Sequence, residues 1–295
     1  MNGIICIDKP EGVTSFCVVA KVRGITKIKK LGHTGTLDPM ATGVLPIMLG
    51  SATKFLNFLP ESDKGYRASF IFGKTTDTLD ITGKTLSECK ADVTEEELKS
   101  VLEEFKGKIS QLPPMYSAKS VDGTRLYELA RQGVEIEREL CEVEIKRLEY
   151  LGSKNGEYEI DVLCSKGTYI RSLIDDIGKR LGCGAVMTKL RRTEATGFTL
   201  ENCVTLDELQ RRRDCGEGFD DLVISLEEIY KDYPRVYVSA AQAKRFSNGG
   251  NLYIERIKNA PKPSTEATVY SESGAFLGLG ENDGTELRVI KILPV

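Results

Sequence analysis

Strand-like and helix-like segments follow one another here without a regular βαβ alternation, and that order points to an α+β fold rather than a parallel doubly wound sheet. Residues 3–8 alternate toward a short strand, and Lys9-Pro10-Glu11-Gly12 is a turn signal. Thr14 or Ser15 caps a helix predicted over 16–30, with Val18, Val19, Val22 and Ile25 on its inner side. A polar, Gly-rich loop is expected over 31–42 and a short helix over 51–59. Residues 66–72 alternate like a strand, and Thr94-Glu95-Glu96-Glu97 is a capping box opening a helix to about Phe105. Pro113-Pro114 breaks the chain. Helices are predicted over 125–132, 168–181 and 205–212, and paired strands over 143–151 and 158–164. Asp232-Tyr233-Pro234 marks a boundary. Beyond it, 235–295 reads as a small, mostly β unit with a helix at 240–246 and strands at 268–271, 275–280 and 286–292.

Several chemistries lack their residues. There is one histidine, His33, and the eight cysteines form no CxxC, so zinc and multi-histidine iron sites are not expected. Neither GxxxxGK[ST] nor GxGxxG is present. No apolar run approaches the ~18 residues of a spanning helix, and the N-terminus lacks a charged start followed by an apolar stretch. The expectation is a cytoplasmic protein with reduced thiols, no membrane contact and no heptad or apolar stripe to drive assembly, hence a monomer.

The net charge of −3 hides strong segregation. Between residues 12 and 60 there are six Lys/Arg and one acid, Asp38; between 162 and 193 there are seven against two, Asp175 and Asp176. The compensating acids fall in 86–104 and 201–232. An acidic chain of this kind can still present a basic face to phosphates. The lone acid of the first stretch lies in Gly32-His33-Thr34-Gly35-Thr36-Leu37-Asp38-Pro39-Met40-Ala41-Thr42-Gly43-Val44-Leu45. Its glycines allow close backbone approach to a ligand. A single carboxylate among bases is what a nucleophile or base for a polyanionic substrate looks like; an Asp before Pro that merely forms a turn is the plain alternative.

This stretch resembles the signature of the TruB-type tRNA pseudouridine-55 synthases. The resemblance extends through Asp8-Lys9-Pro10-Glu11-Gly12-Val13-Thr14-Ser15, through Lys64-Gly65-Tyr66-Arg67-Ala68 with Thr76-Asp77-Thr78-Leu79-Asp80, and through Pro113-Pro114-Met115-Tyr116-Ser117-Ala118. Cys164-Ser165-Lys166-Gly167-Thr168-Tyr169-Ile170-Arg171 and Leu190-Arg191-Arg192 complete it. Met40 stands where leucine is usual, a swap that nearly conserves volume.

The resemblance implies a pseudouridine-synthase-like catalytic domain over 1–232, with a central mixed or antiparallel sheet. It also implies an RNA-clasping insertion over 113–145 and a PUA-like RNA-binding domain over 235–295. Its substrate is one uridine in the T-loop of tRNA, isomerised without cofactor or metal, with the acceptor stem as a further contact. Residue by residue, Asp38 becomes the catalytic aspartate and Arg171 its partner. Tyr66 packs on the target base, Tyr169 and Leu190 line the uracil pocket, and His33 contacts RNA near the flipped nucleotide.

Physical chemistry suits these roles. Extruding a base costs a few kcal/mol, and an aromatic face returns ~1–3 kcal/mol by stacking. An arginine beside a carboxylate favours its charged form and can orient it through two parallel hydrogen bonds. Attack on C1′, attack on C6 and removal of a 2′ proton all remain open for the aspartate, with Tyr66 a candidate for relaying the final proton from C5. Two rival readings are an idle RNA-binding protein on the same fold and a retaining glycosidase. The latter needs a second carboxylate ~5–5.5 Å away, for which Asp77 and Asp80 are available.

Overall fold

The computed structural model describes residues 1–117, 119–121 and 123–294. Strand β1 (Gly3–Lys9) leads to helix α1 (Ser15–Thr26), strands β2 (Leu31–His33) and β3 (Thr42–Leu49), a 3-10 stretch over Gly50–Phe58, and β4 (Lys64–Phe72). A small hairpin, β5 (Lys74–Thr76) and β6 (Thr85–Glu88), precedes α2 (Glu95–Glu104) and β7 (Gly107–Gln111). Next come β8 (Ser120–Val121), β9 (Thr124–Arg125), α3 (Leu126–Arg131), β10 (Cys141–Lys154), β11 (Glu157–Cys164) and α4 (Ile170–Arg180). The first part closes with β12 (Ala185–Ala195), β13 (Phe198–Thr199), β14 (Cys203–Val204), α5 (Leu206–Asp214) and α6 (Leu226–Ile229). A second part holds β15 (Arg235–Val238), α7 (Ala240–Ser247), β16 (Leu252–Tyr253), β17 (Thr265–Ser271), β18 (Phe276–Asn282) and β19 (Glu286–Ile292). Ala118, in the third motif, lies outside the described residues, as does Asp122 in the insertion.

Ten strands form one mixed sheet, ordered β14-β1-β3-β12-β4-β11-β10-β7, with β2 on β3 and β13 on β12. Its pairs are antiparallel except β1 with β14 and β3 with β12. The fold class is the expected α+β. Several elements differ from the sequence reading. Helix α1, capped by the Thr14 hydroxyl accepting from Cys17 N at 3.1 Å, stops at Thr26 because Lys27 turns left-handed at φ 61°. Leu31–His33, read as loop, pairs with Leu49, Met48 and Ile47. Strand β3 went unread because Pro46 signals a break. Pro46 sits opposite Cys6, at a position where neither β12 (on Thr42 and Gly43) nor β2 (on Ile47 to Leu49) pairs, so its missing N–H costs no ladder bond. Strand β12 was also unread, although it joins the two halves of the sheet.

One face of β4, β10, β11 and β12 is covered by α2 and α4, which bury Leu98, Leu102, Leu173, Ile174 and Ile177 against Phe70, Ile160 and Val162. The second, five-stranded sheet, ordered β15-β17-β18-β19-β16, shares a core with the first. Tyr270 and Phe276 pack with Phe55, Phe198 and Tyr230, and the Tyr230 and Phe276 rings stack at 6.4 Å and 8°.

Candidate active site

Asp38 lies between β2 and β3, and three buried polar side chains hold the backbone around it. Lys9, fully buried at the end of β1, donates Nζ to the carbonyls of Pro10 (2.9 Å), Pro39 (3.1 Å) and Ala41 (2.5 Å). Ser15 Oγ donates to Leu37 O at 3.1 Å and accepts from Leu37 N at 2.9 Å. Arg192, fully buried on β12, donates Nε to Val44 O (2.7 Å), Nη1 to Thr36 O (3.3 Å) and Nη2 to Gly35 O (3.2 Å). Gly43 completes the fit. Its φ is 101°, and a Cβ there would lie 2.1 Å from the Arg192 carbonyl oxygen. With its flanking backbone pinned, Asp38 keeps a side chain that is 34% exposed and opens onto two cavities.

The first cavity, of 590 Å³, is bordered by Asp38, Lys64, Tyr66, Tyr169, Arg171 and Leu190. Tyr66 on β4 pairs in register with Arg192 on β12, and Leu190 with Ala68, so both cavity residues stand on neighbouring strands of the sheet. Tyr169 is the N-cap residue of α4, and Arg171 lies in that helix's first turn. The second cavity, of 640 Å³, is bordered by Asp38, Arg171, His33, Phe16, Asp80 and Tyr127. All six residues singled out from the sequence therefore border one cavity or the other, and Asp38 and Arg171 border both.

Arg171 Nε lies 3.0 Å from Asp38 Oδ2. The two parallel bonds anticipated for this pair are not formed, because both terminal nitrogens are engaged elsewhere. Nη1 donates to Thr78 O at 2.9 Å and Nη2 to Tyr116 O at 2.7 Å, while Asp80 Oδ2 stands 3.7 Å from Nη1. The guanidinium is thus a fixed, buried bridge between two carboxylates rather than a fork on one. Asp80, the last residue of the second motif and a carboxylate available to the glycosidase reading, accepts at its Oδ1 from Thr78 Oγ1 (2.9 Å), Thr82 N (3.0 Å) and Thr82 Oγ1 (2.6 Å).

The electrostatics also differ from expectation. Burial raises the Asp38 pKa above the ordinary aspartate value; Arg171 opposes this, Asp80 adds to it, and Lys9 opposes it. Arg171 therefore limits the cost of the charge without fully offsetting desolvation. Burial pushes the Tyr66 phenol up to about 12, with Arg192 pulling the other way, so it stays protonated at neutral pH. Burial and Arg192 lower the His33 pKa, which leaves the imidazole neutral at pH 7, and its Nδ1 has no partner among the described residues. Burial likewise lowers Lys9 to about 8, against the pull of Asp38.

The sequence reading missed the anchoring roles of Lys9, Ser15 and Arg192. A period-two signal was available for two of them: Lys9 follows Ile5 and Ile7 on the inner face of β1, and Arg192 follows Leu190 on β12. Among the described residues, no group of three or more His, Cys, Asp or Glu is arranged to hold a metal.

The family model described as the N-terminal domain of TruB family pseudouridylate synthases matches residues 23–170, half of the chain. The chain belongs to the TruB family. A second model, for the C-terminal domain of tRNA pseudouridylate synthase B, matches residues 171–230. The tRNA pseudouridine synthase B of Clostridium tetani is 42% identical over 99% of this chain and 100% of its own length. The enzyme of that name from Pseudomonas fluorescens is 45% identical over 95% and 92%. Among solved structures, a Cbf5–Nop10–Gar1 complex matches at a TM-score of 0.74 and 28% identity, covering 99% of this chain and 85% of the matched one. An H/ACA RNP bound to a substrate RNA containing 2′-deoxyuridine matches at 0.73 and 26%, covering 99% and 85%. Pinned between β2 and β3, the TruB signature loop acquires a structural explanation: its glycines and small residues let Arg192 and Ser15 reach the backbone that presents Asp38.

Proposed function

We propose that the chain isomerises the uridine at position 55 in the T-loop of tRNA to pseudouridine, with Asp38 as the reacting group. The observation that carries this reading is the placement of Asp38: one carboxylate, gripped by a buried guanidinium, at the junction of two cavities in a TruB-family chain. The uridine is extruded from its loop. Its uracil enters the cavity between Tyr66, Tyr169 and Leu190, where the phenol rings recover stacking energy. Asp38 meets the nucleoside, Arg171 steadies the carboxylate, and neutral His33 contacts the RNA beside the vacated position. The N1–C1′ bond breaks, the uracil turns, C5 bonds to C1′, and the C5 hydrogen leaves as a proton. Attack on C1′, attack on C6 and 2′ deprotonation are each compatible with this placement. Because Tyr66 stays protonated, it relays that last proton rather than acting as a standing base.

Residues 113–145 clasp the T-arm, and the sheet that opens at Arg235 takes the acceptor stem. The enzyme works as a cytoplasmic monomer. Release of tritium from C5-labelled uridine in tRNA tests the chemistry. Asp38→Asn is expected to abolish release while leaving tRNA affinity intact and the melting temperature no lower, since burial disfavours the native carboxylate. Persistent release by this variant would remove Asp38 from the reaction.

A further inference from the structure

Gln111, the last residue of β7, is 1% exposed and spends its whole side chain on one neighbour. Its Oε1 accepts from Tyr169 N at 2.7 Å, and its Nε2 donates to Tyr169 O at 3.0 Å. A side-chain amide offers one acceptor and two donors without charge, so it matches a backbone N–H and C=O together. Tyr169 is the N-cap of α4 and makes no side-chain capping bond; the amide accepts from its backbone N–H, the group a capping box would engage, and donates to its carbonyl, which also accepts from Leu173 N at 3.1 Å. Two further bonds run alongside it. Ser172 Oγ donates to Leu112 O at 3.0 Å, and Arg171 Nη2 donates to Tyr116 O at 2.7 Å. The first turn of α4 is thereby stitched to residues 111–116 at positions 169, 171 and 172.

We infer that Gln111 is a positioning residue for the isomerisation: its amide sets the backbone from which Tyr169 faces the uracil cavity and Arg171 reaches Asp38. The inference rests on the function proposed above. Gln111 touches neither cavity-facing atom itself. It acts through a peptide unit two residues before the guanidinium, and a small rotation there is carried to Nε, 3.0 Å from the carboxylate.

The test compares Gln111→Met with Gln111→Glu in the tritium-release assay on full-length tRNA. Methionine is nearly isosteric and removes both bonds. Its kcat is expected to fall about 10-fold or more, within the ~100-fold scale that a 1 Å misplacement costs, with KM for tRNA little changed. Its acid limb in kcat should also move to higher pH, because a displaced Arg171 opposes the raised Asp38 pKa less well. In Gln111→Glu a protonated carboxyl restores one donor and one acceptor, so its kcat relative to the methionine variant should rise as pH falls. A methionine variant that only melts lower, with parental kcat and an unmoved acid limb per folded molecule, overturns the inference. Should that variant fail to fold, a Gln111→Glu variant whose kcat matches the parent's at every pH overturns it equally. A parental protein that releases no tritium defeats the proposed function instead, so the two failures are distinguishable.

Discussion

Arg192 offers the sharpest test of how this fold builds its site. The side chain is fully buried and donates to Val44, Thr36 and Gly35 carbonyls, tying β12 to β3 and to the loop before Asp38. Replacing it by methionine leaves three carbonyls without that donor and removes a buried cation. Bonds to a charged donor are worth ~1.5–3 kcal/mol each, so three set an upper bound of ~4.5–9 kcal/mol. The substitution also removes the desolvation cost of holding a guanidinium in the interior, several kcal/mol per buried ion, which brings the net loss down to about 3–5 kcal/mol. At ~2.1 cal/mol/K per residue, a chain of 295 residues loses about 5–8 °C in melting temperature. Thermal unfolding by circular dichroism reads this directly. Turnover measured well below the new midpoint should drop as well, because residues 35 and 36 lose their anchor. Arg192→Lys should fall between, since one ammonium cannot span three carbonyls on two segments. A methionine variant that melts within a degree of its parent and turns over normally would refute the reasoning.

Three further outcomes follow from the charges. The acid limb of kcat/KM should lie above an ordinary aspartate's, since the folded Asp38 pKa is raised and the proposed reaction needs the ionised form. Arg171→Met should move that limb higher still, because it removes the main opposing charge; a limb that moves down would contradict the assigned pairing. Affinity for tRNA should fall steeply with salt if the basic stretches at 12–60 and 162–193 meet phosphates, and a flat dependence between low and moderate salt would separate them from the RNA.

The candidate-site residues were legible through the ordered motifs that carry the family resemblance; residue type alone singled out Asp38, a carboxylate alone among bases and beside glycines, and left a plain turn open as its alternative. Helices α2 and α4 were legible for local reasons, a Thr94 capping box and a clean apolar face at 170, 173, 174 and 177. Strands β3 and β12 were not. Pro46 and the charges of Lys189, Arg191, Arg192 and Glu194 argue against strands when only neighbours in sequence are weighed. The ladder tolerates Pro46 because, on the side away from β1, neither β12 nor β2 pairs at that position, and β12 tolerates a buried arginine because three carbonyls from another segment surround it.

By itself, the order of residues determined the α+β class, the identity of the six side chains around the site and the family they resemble. Tertiary structure alone decided how they act on one another. It placed Asp80 across Arg171 from Asp38, turned Arg171 into a bridge by giving its terminal nitrogens to backbone carbonyls, and raised the Asp38 pKa by burial. The reason is physical: hydrogen-bond competition and desolvation depend on what surrounds a group in space, and those surroundings come from segments far apart in the chain, 133 residues for Asp38 and Arg171 and 157 for Gly35 and Arg192.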